Sequence, residues 1–519
     1  MLQKSILPLL LLLLAPLKGA ESEEAVRWWS HIVFLAGDKL AGRETGSEGH
    51  RTAARYVSQE FERAGLAPAG TSGYLQPIPF HTRKLEESDS SLELFDGKQW
   101  RKLELGEDAY FSARDNVGGD WEAPLLFSGY GFAIPQRQFD EFAGLDVRGK
   151  IVLYLTGGPK GFPGPLMATA QRERWKRLKE AGAVGLASIP NPKSADIPWA
   201  RARLSRFMPS MQLAEMPSEG PPFSLNVNPA RADLFLSGSS HTLEQILQQA
   251  ETGKPLPKFE TGTKLRARVR LSTGKVESEN VAGIKHGADP ILKNQYVVLT
   301  AHLDHVGTGR PIREDSIYNG AMDNASGIST LIEVARMLKD TPLARGVLFV
   351  AVTGEEKGLL GSKYFAQIPT VPRQAIVANL NFDMFLPLYP FKLLTVIGLE
   401  ESSLGDVARE VAAARDIPVQ SDPEPQRNSF VRSDQYSFVR QGIPAIAFKV
   451  GYRPGTPEET IFKTWLRERY HAPSDDIHQP VDKEAAVQFN RLIAALAEAV
   501  ANARSVPSWK NKDRTLSPE

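Results

Sequence analysis

The sequence contains no cysteine. That absence excludes disulfides, thiolate metal sites, a cysteine nucleophile and lipid attachment through an N-terminal cysteine. It also lacks an excess of charge of either sign. With 62 Lys and Arg against 61 Asp and Glu, a phosphate-backbone binder is disfavoured and no nucleic-acid partner is expected. Histidine is scarce, at nine residues, so any metal must be held by a few imidazoles together with Asp and Glu. Beyond residue 20 no segment is long and apolar enough to span a membrane. What is there is ordinary globular composition: 42% hydrophobic and 24% charged residues over 519 positions, enough for about two to four domains.

Residues 1–20 read as a signal peptide. Lys4 gives a short positive start, Ile6 to Leu14 is apolar, and Leu17-Lys18-Gly19-Ala20 offers small residues for cleavage. A membrane anchor needs about 20 apolar residues, and this run is too short. The mature protein is expected to be exported, periplasmic or extracellular, with no stable membrane insertion. Without Lys4 and Lys18 the balance is 60 basic to 61 acidic residues, formally −1.

Ser47 to Ala64 reads as a helix, with Ala53, Tyr56, Val57, Phe61 and Ala64 on one face and Gly65 placed to end it. Between about Trp121 and Leu271 short apolar runs such as Ile151 to Leu155 alternate with Gly- and Pro-rich turns. One helical stretch, Ala170 to Ala181, interrupts them. This texture predicts a smaller β-rich domain over 121–272, inserted between an N-terminal part, 21–120, and the main part, 273–504. From Asn280 strands and helices alternate. Tyr296 to Ala301, Gly346 to Val352, Ala375 to Asn381 and Ile443 to Val450 are strand candidates, and Ile328, Leu331, Ile332, Ala335 and Leu338 mark an amphipathic helix. The fold class is α/β, a mixed, largely parallel sheet flanked by helices. Leu492 to Ala503 reads as a closing helix, and 505–519 as a loose polar tail.

In an open α/β sheet ligands bind beyond the carboxyl ends of the strands. Here the first three main strands run into His302-Leu303-Asp304-His305, Thr353-Gly354-Glu355-Glu356 and Phe382-Asp383-Met384. Two loops add Asp323 and His471. Imidazole and carboxylate donors without thiolate suit zinc, manganese or cobalt.

These segments resemble peptidase family M28, the dizinc peptidases. The resemblance rests on His302-x-Asp304-His305-x-Gly307, Asp323-Asn324-Ala325-Ser326-Gly327, Gly354-Glu355-Glu356-x-Gly358, Asn381-x-Asp383-Met384 and Tyr470-His471-x-Pro473-x-Asp475, in that order. Leu35 to Arg43 is similar to the family as well. Phe127 to Gly131 and Phe142 to Lys150 resemble a protease-associated domain, which interrupts the peptidase domain in many members. The resemblance implies the zinc exopeptidase fold and two Zn2+, with Mn2+ or Co2+ as substitutes. It implies His302 and Asp383 on one metal, Glu356 and His471 on the other, and Asp323 bridging. Glu355 would be the general base and Asp304 the carboxylate that orients His302. The Tyr470 hydroxyl would face the tetrahedral oxyanion.

Taken singly each residue has a plainer reading. A Glu-Glu pair is usually solvated, and an Asp before Asn-Ala-Ser-Gly is usually a turn or helix cap. The joint pattern outweighs them. His305 is expected to be structural, and His31, His50, His81, His241, His286 and His478 have no partner pattern. Trp175 and Trp199 are expected to pack rather than line a groove. Three places depart from the family: Met322, the stretch Phe385 to Leu388, and Gln435. The last two are expected to shape a substrate pocket, with Phe385 and Leu386 suggesting an apolar preference.

The function these readings imply is an exported metallopeptidase acting on peptides, first an aminopeptidase. A carboxypeptidase of the same family would need a cationic clamp, for which Arg310, Arg313, Arg427 and Arg432 are available. A binding protein on a retired scaffold would be expected to have lost ligands, and this chain keeps all five.

Overall fold

The computed structural model describes residues 21–510 apart from 115, 163 and 217–219. The leader reading for 1–20 therefore lies outside the described residues, as does 511–519. Among the described residues no helix is long and apolar enough to cross a membrane.

The architecture is built on a ten-stranded sheet. At its centre Gly346–Val352, Tyr296–His302, Ile376–Asn381 and Ala445–Val450 run parallel in that order. Nearly every side chain of these four strands is buried, as expected for parallel strands covered on both faces. Antiparallel strands extend one flank, Leu271–Lys285 and then Leu75–Leu85, and Leu394–Ile397 extends the other. One face is covered by Glu23–Leu35, Glu48–Arg63, Ser326–Leu338, Leu404–Ala413 and Lys483–Asn502, which share a core through Trp28, Phe61, Leu331 and Phe489. On the opposite face Phe365 and Phe438 pack on Val298 and Leu348.

The helix expected at Ser47 begins where a capping residue should stand. The Ser47 hydroxyl accepts the His50 amide at 3.1 Å, and Gly65 leaves the helix at φ +81°, a conformation that favours glycine. Three elements differ from the sequence expectation. The helix Glu23–Leu35 was not foreseen, although Ser22 caps it and Ala25, Trp28, Ile32 and Leu35 are buried at helical spacing. The closing helix starts at Lys483, nine residues earlier than expected, because small alanines carry its buried face there. The start of the tail is pinned: the Ser508 amide donates to the Ser403 hydroxyl at 3.0 Å and the Trp509 indole to the Gly442 carbonyl at 2.8 Å.

A second, eight-stranded sheet has its own core around Leu92, Leu125, Phe127, Ile151 and Leu225. It begins at Ser91 rather than at Trp121, because Ser91–Phe95, Trp100–Leu103 and Ala109–Phe111 belong to it. Those strands are short and half-exposed, and no Gly- or Pro-rich texture sets them apart. In the other direction Ser210–Leu213 leaves the insert and joins the edge of the main sheet, with Ser210 opposite Arg83 and Leu213 opposite Phe80. This pairing holds the segment before it, residues 194–208, over the carboxyl ends of the parallel strands.

Candidate metal centre

His302 is the last residue of its strand, and Asp383 follows the end of the next. Glu355 and Glu356 follow Gly346–Val352, and Asp323 precedes the helix Ser326–Leu338. Parallel pairing brings the strand ends to one edge, so residues far apart in sequence converge. His302 Nε2 lies 3.2 Å from Asp323 Oδ1 and 3.3 Å from Asp383 Oδ1. His471 Nε2 lies 3.2 Å from Asp323 Oδ2 and 3.0 Å from Glu356 Oε2. The two oxygens of Asp323 thus face two different groups of ligands.

A third imidazole joins the second group. His305, expected to be structural, puts Nδ1 2.8 Å from Glu356 Oε1 and 3.7 Å from Asp323 Oδ2, with its ring edge-on to that of His471. Sequence reasoning passed over it because adjacency to Asp304 says nothing about where its ring points.

Carboxylates and imidazoles crowded together at this burial need positive charge between them. Burial works against a charged His471, but the Glu356 and Asp323 carboxylates outweigh it and raise its imidazolium to about 10. Burial likewise opposes charge on His302, and the Glu355, Asp323 and Asp383 carboxylates again prevail. Close as they are, Asp323 Oδ2, Glu356 Oε1 and both ring nitrogens of His305 are buried and none makes an aligned hydrogen bond. His302, Asp323 and Asp383 form one group with metal-ligand spacing, and His305, Asp323 and Glu356 a second. The donor set fits two divalent cations sharing one carboxylate.

The supporting contacts explain why the loops hold their shape. The Asp475 carboxylate accepts the amides of Met322 at 2.9 Å and Asp323 at 3.0 Å. Asn324 donates to the Phe382 carbonyl at 2.8 Å and accepts the Met384 amide at 3.3 Å, tying the bridging loop to the Asp383 strand end. Arg43, wholly buried, donates to the carbonyls of Leu35, Leu303, Asn319 and Gly320, and so joins an N-terminal turn to both ligand loops. Asp304 is used differently from the expectation. It is its backbone carbonyl that accepts His302 Nδ1 at 3.0 Å. Its carboxylate accepts the amides of Glu355 at 3.1 Å and Glu356 at 3.3 Å and the Thr45 hydroxyl at 3.0 Å. It therefore orients the glutamate turn as well as the histidine.

Glu355 coordinates neither group. Burial raises its carboxyl well above the usual range; His302 opposes this, and Asp383, Glu356 and Asp434 add to it. Tyr470 lies against His471 with ring centroids 4.1 Å apart and the rings tilted by 44°. Burial raises its phenol well above the ordinary value against the pull of Arg432, so it remains a proton donor. Asp434, next to Gln435, was not singled out by its sequence. It is buried with neither carboxylate oxygen tightly paired, and burial raises it to about 7.

Two cavities flank the centre. One, about 90 Å3, lies beside Asp383 and is lined by Met384, Ile397, Lys449, Phe462 and Tyr470. Phe385 and Leu386 do not reach it, contrary to expectation. Both are fully buried, and Phe385 stacks on Phe489 at 4.2 Å. Gln435 does line it, while accepting from Asn381 at 3.0 Å. Asp196 of the insert pairs there with Arg427 and, at 2.7 Å, with Arg432. The second cavity, about 300 Å3, opens beside Glu356 and His471 and includes Arg310. Arg313 lies apart, exposed at a hairpin turn. Trp175 is buried in the insert, and Trp199 donates to the Gly106 carbonyl at 3.0 Å.

A family model described as Peptidase family M28 matches residues 280–497. Aminopeptidase YwaD of Bacillus subtilis is 30% identical over 269 residues, covering 51% of this chain and 53% of that protein. The alkaline phosphatase isozyme conversion protein of Escherichia coli is 33% identical over 246 residues, covering 43% of this chain and 69% of that protein. A probable leucine aminopeptidase 2 of Aspergillus fumigatus is 29% identical over 236 residues, covering 43% of this chain and 44% of that protein. The chain spans about half the length of the first curated relatives it matches. Among solved structures, an aminopeptidase from Aneurinibacillus sp. strain AM-1 aligns with a TM-score of 0.56 at 18% identity, covering 93% of this chain and 95% of that one. The zinc aminopeptidase BSAP from Bacillus subtilis aligns with a TM-score of 0.50 at 19% identity, covering 95% and 97%. At these identities the structures show a shared fold.

Proposed function

The chain belongs to peptidase family M28, and from that premise we propose that it is a zinc-dependent exopeptidase, an aminopeptidase that shortens peptides from the amino end. The observation that carries the reading is Asp323, whose two oxygens face His302 and His471 at 3.2 Å each. The relatives named as aminopeptidases favour the amino-terminal polarity.

His302 and Asp383 would hold one zinc, Glu356 and His471 the other, with Asp323 between them and His305 beside the second. When bound, the zinc ions supply Lewis acidity toward the scissile carbonyl and the attacking water. Glu355, free of both groups, takes the proton of that water on a carboxylate oxygen and returns it to the leaving amine. The Tyr470 hydroxyl donates to the oxygen that gains charge as the carbonyl becomes tetrahedral. Asp304 keeps both glutamates in register by accepting their amides, one for the substrate side and one for the metal side.

The test is an unblocked peptide incubated with the zinc-loaded protein, its products followed by mass spectrometry with a chelator control. A chelator-sensitive ladder shortened from the amino end supports the reading. A ladder from the carboxyl end overturns the polarity, and no products from a protein holding two metals overturns the peptidase reading. We also propose export, on the leader-like composition of residues 1–20. N-terminal sequencing of the secreted or periplasmic protein should begin near Glu21, and recovery of an intact Met1 in the cytoplasm would contradict it.

A further inference from the structure

The cavity beside Glu356 and His471 has an unusual charge. Setting aside Glu356 and His471, which belong to the candidate metal cluster, its charged lining residues are three cations, Arg201, Arg310 and Lys357. Lys357 is matched by Glu44 at 2.8 Å. The two arginines are not matched by any carboxylate among the described residues. Arg201 spends two nitrogens on the carbonyls of Leu466 at 3.0 Å and Arg467 at 2.9 Å, and its Nε is buried with no hydrogen-bond partner. The Arg310 guanidinium rests on the Phe207 ring, 4.4 Å from its centroid. A guanidinium fixed by two carbonyls with its Nε unspent, and an exposed one resting on a ring, both lining the cavity of Glu356 and His471 without a counter-ion, are suited to an anion.

We infer that this cavity is a carboxylate subsite for the part of the peptide beyond the scissile bond. A volume of about 300 Å3 suits a residue or two, whereas the 90 Å3 cavity beside Asp383 suits one small side chain. The carboxylate is either the free carboxyl terminus of a short substrate or an acidic side chain next to the cleaved bond. The first source makes the protein a peptidase of di- and tripeptides; the second gives it a sequence preference. The inference rests on the peptidase reading, since a substrate must lie across the ligands to reach Arg201 and Arg310.

The experiment uses the zinc-loaded full chain and three peptides: Leu-Ala-Ala, Leu-Ala-Ala-amide and Leu-Asp-Ala-amide. The free acid or the aspartyl peptide should exceed the neutral amide in kcat/KM by about tenfold or more, mostly through KM. Whichever of the two gains identifies the source. Arg310→Ala, whose side chain makes no hydrogen bond that the fold needs, should shrink this advantage, and so should Arg201→Lys. As a readout independent of turnover, the metal-free protein should bind the product Ala-Ala more tightly than Ala-Ala-amide, and Arg310→Ala should weaken that difference. Cleavage of all three peptides within about threefold of one another overturns the inference and leaves the peptidase reading standing. An advantage that survives both substitutions also overturns it. No cleavage of any peptide by protein holding two metals overturns the peptidase reading and the inference together.

Discussion

Asp323 turns one oxygen to His302 and the other to His471, so its loss should cost more than one ligand. Asp323→Ala is expected to lower bound zinc from two per chain to one or none, read by elemental analysis after dialysis. Retention of two tightly held ions would remove the bridging role. Glu355→Gln should behave in the opposite way, keeping both metals while turnover falls by about 10^2-fold or more. Substantial remaining activity would mean that another group moves the proton. His305→Ala should weaken the second metal by about 10–100-fold while leaving the first, measured by zinc titration. The five candidate ligands stood out in the sequence because the chemistry calls for His, Asp and Glu at strand ends and in the two loops, and the fold brings their side chains together. The position of His305 was not, since a ring's direction depends on packing. The same limit applied to Phe385 and Leu386, whose apolar character fits a pocket or a core equally well until Trp28 and Phe489 are seen against Phe385.

At the scale of elements, the strands carrying ligands were readable as continuous apolar runs, because a parallel strand covered on both faces needs no alternation. The insert's boundary was not readable. Ser91–Phe95 alternates buried and half-exposed residues like an ordinary strand, and only its partner, Lys258–Val269, shows which sheet it joins. The turn that ends in Arg43 resembled the family in sequence, and its reason is physical. A single guanidinium donates to four backbone carbonyls, those of Leu35, Leu303, Asn319 and Gly320, of which the last also accepts the Ala325 amide. Arg43→Lys, which cannot form that fork, should lower the unfolding free energy by about 2 kcal/mol or more and reduce zinc affinity with it. Denaturant melts paired with zinc titration check this. An unchanged melt would show that the four carbonyls find other partners.

For the whole molecule, one contribution to acid sensitivity comes from His50, buried in the helix that covers the sheet. Burial, helped by Arg43 and Arg51, lowers its imidazole to about 3. The unfolded chain binds a proton there below about 6.5. The folded chain does so only near 3, so the unfolded state gains protons first as pH falls. Stability from this group is complete above about 6.5 and declines by about 1.4 kcal/mol per pH unit below it. Raised carboxyls such as Asp434 and Glu141 contribute with the opposite sign, so the readout is the difference: between pH 6 and 4 the metal-free protein should lose stability more steeply than its His50→Gln variant, by about 1.4 kcal/mol per pH unit. A substitution that leaves the slope unchanged would place the acid sensitivity elsewhere.

The insert completes the molecular picture. By lending Ser210–Leu213 to the main sheet, it sets residues of 197–208 into one cavity with the candidate ligands Glu356 and His471, so that the cavity's walls come from different cores. The proposed chemistry depends on two cations sharing Asp323. Anomalous diffraction at the zinc edge from crystals grown with zinc tests that directly. Two peaks about 3.5–4 Å apart are expected, one between His302 and Asp383 and one between Glu356 and His471, with Asp323 touching both. A single peak, or two that leave Asp323 unliganded, would contradict it.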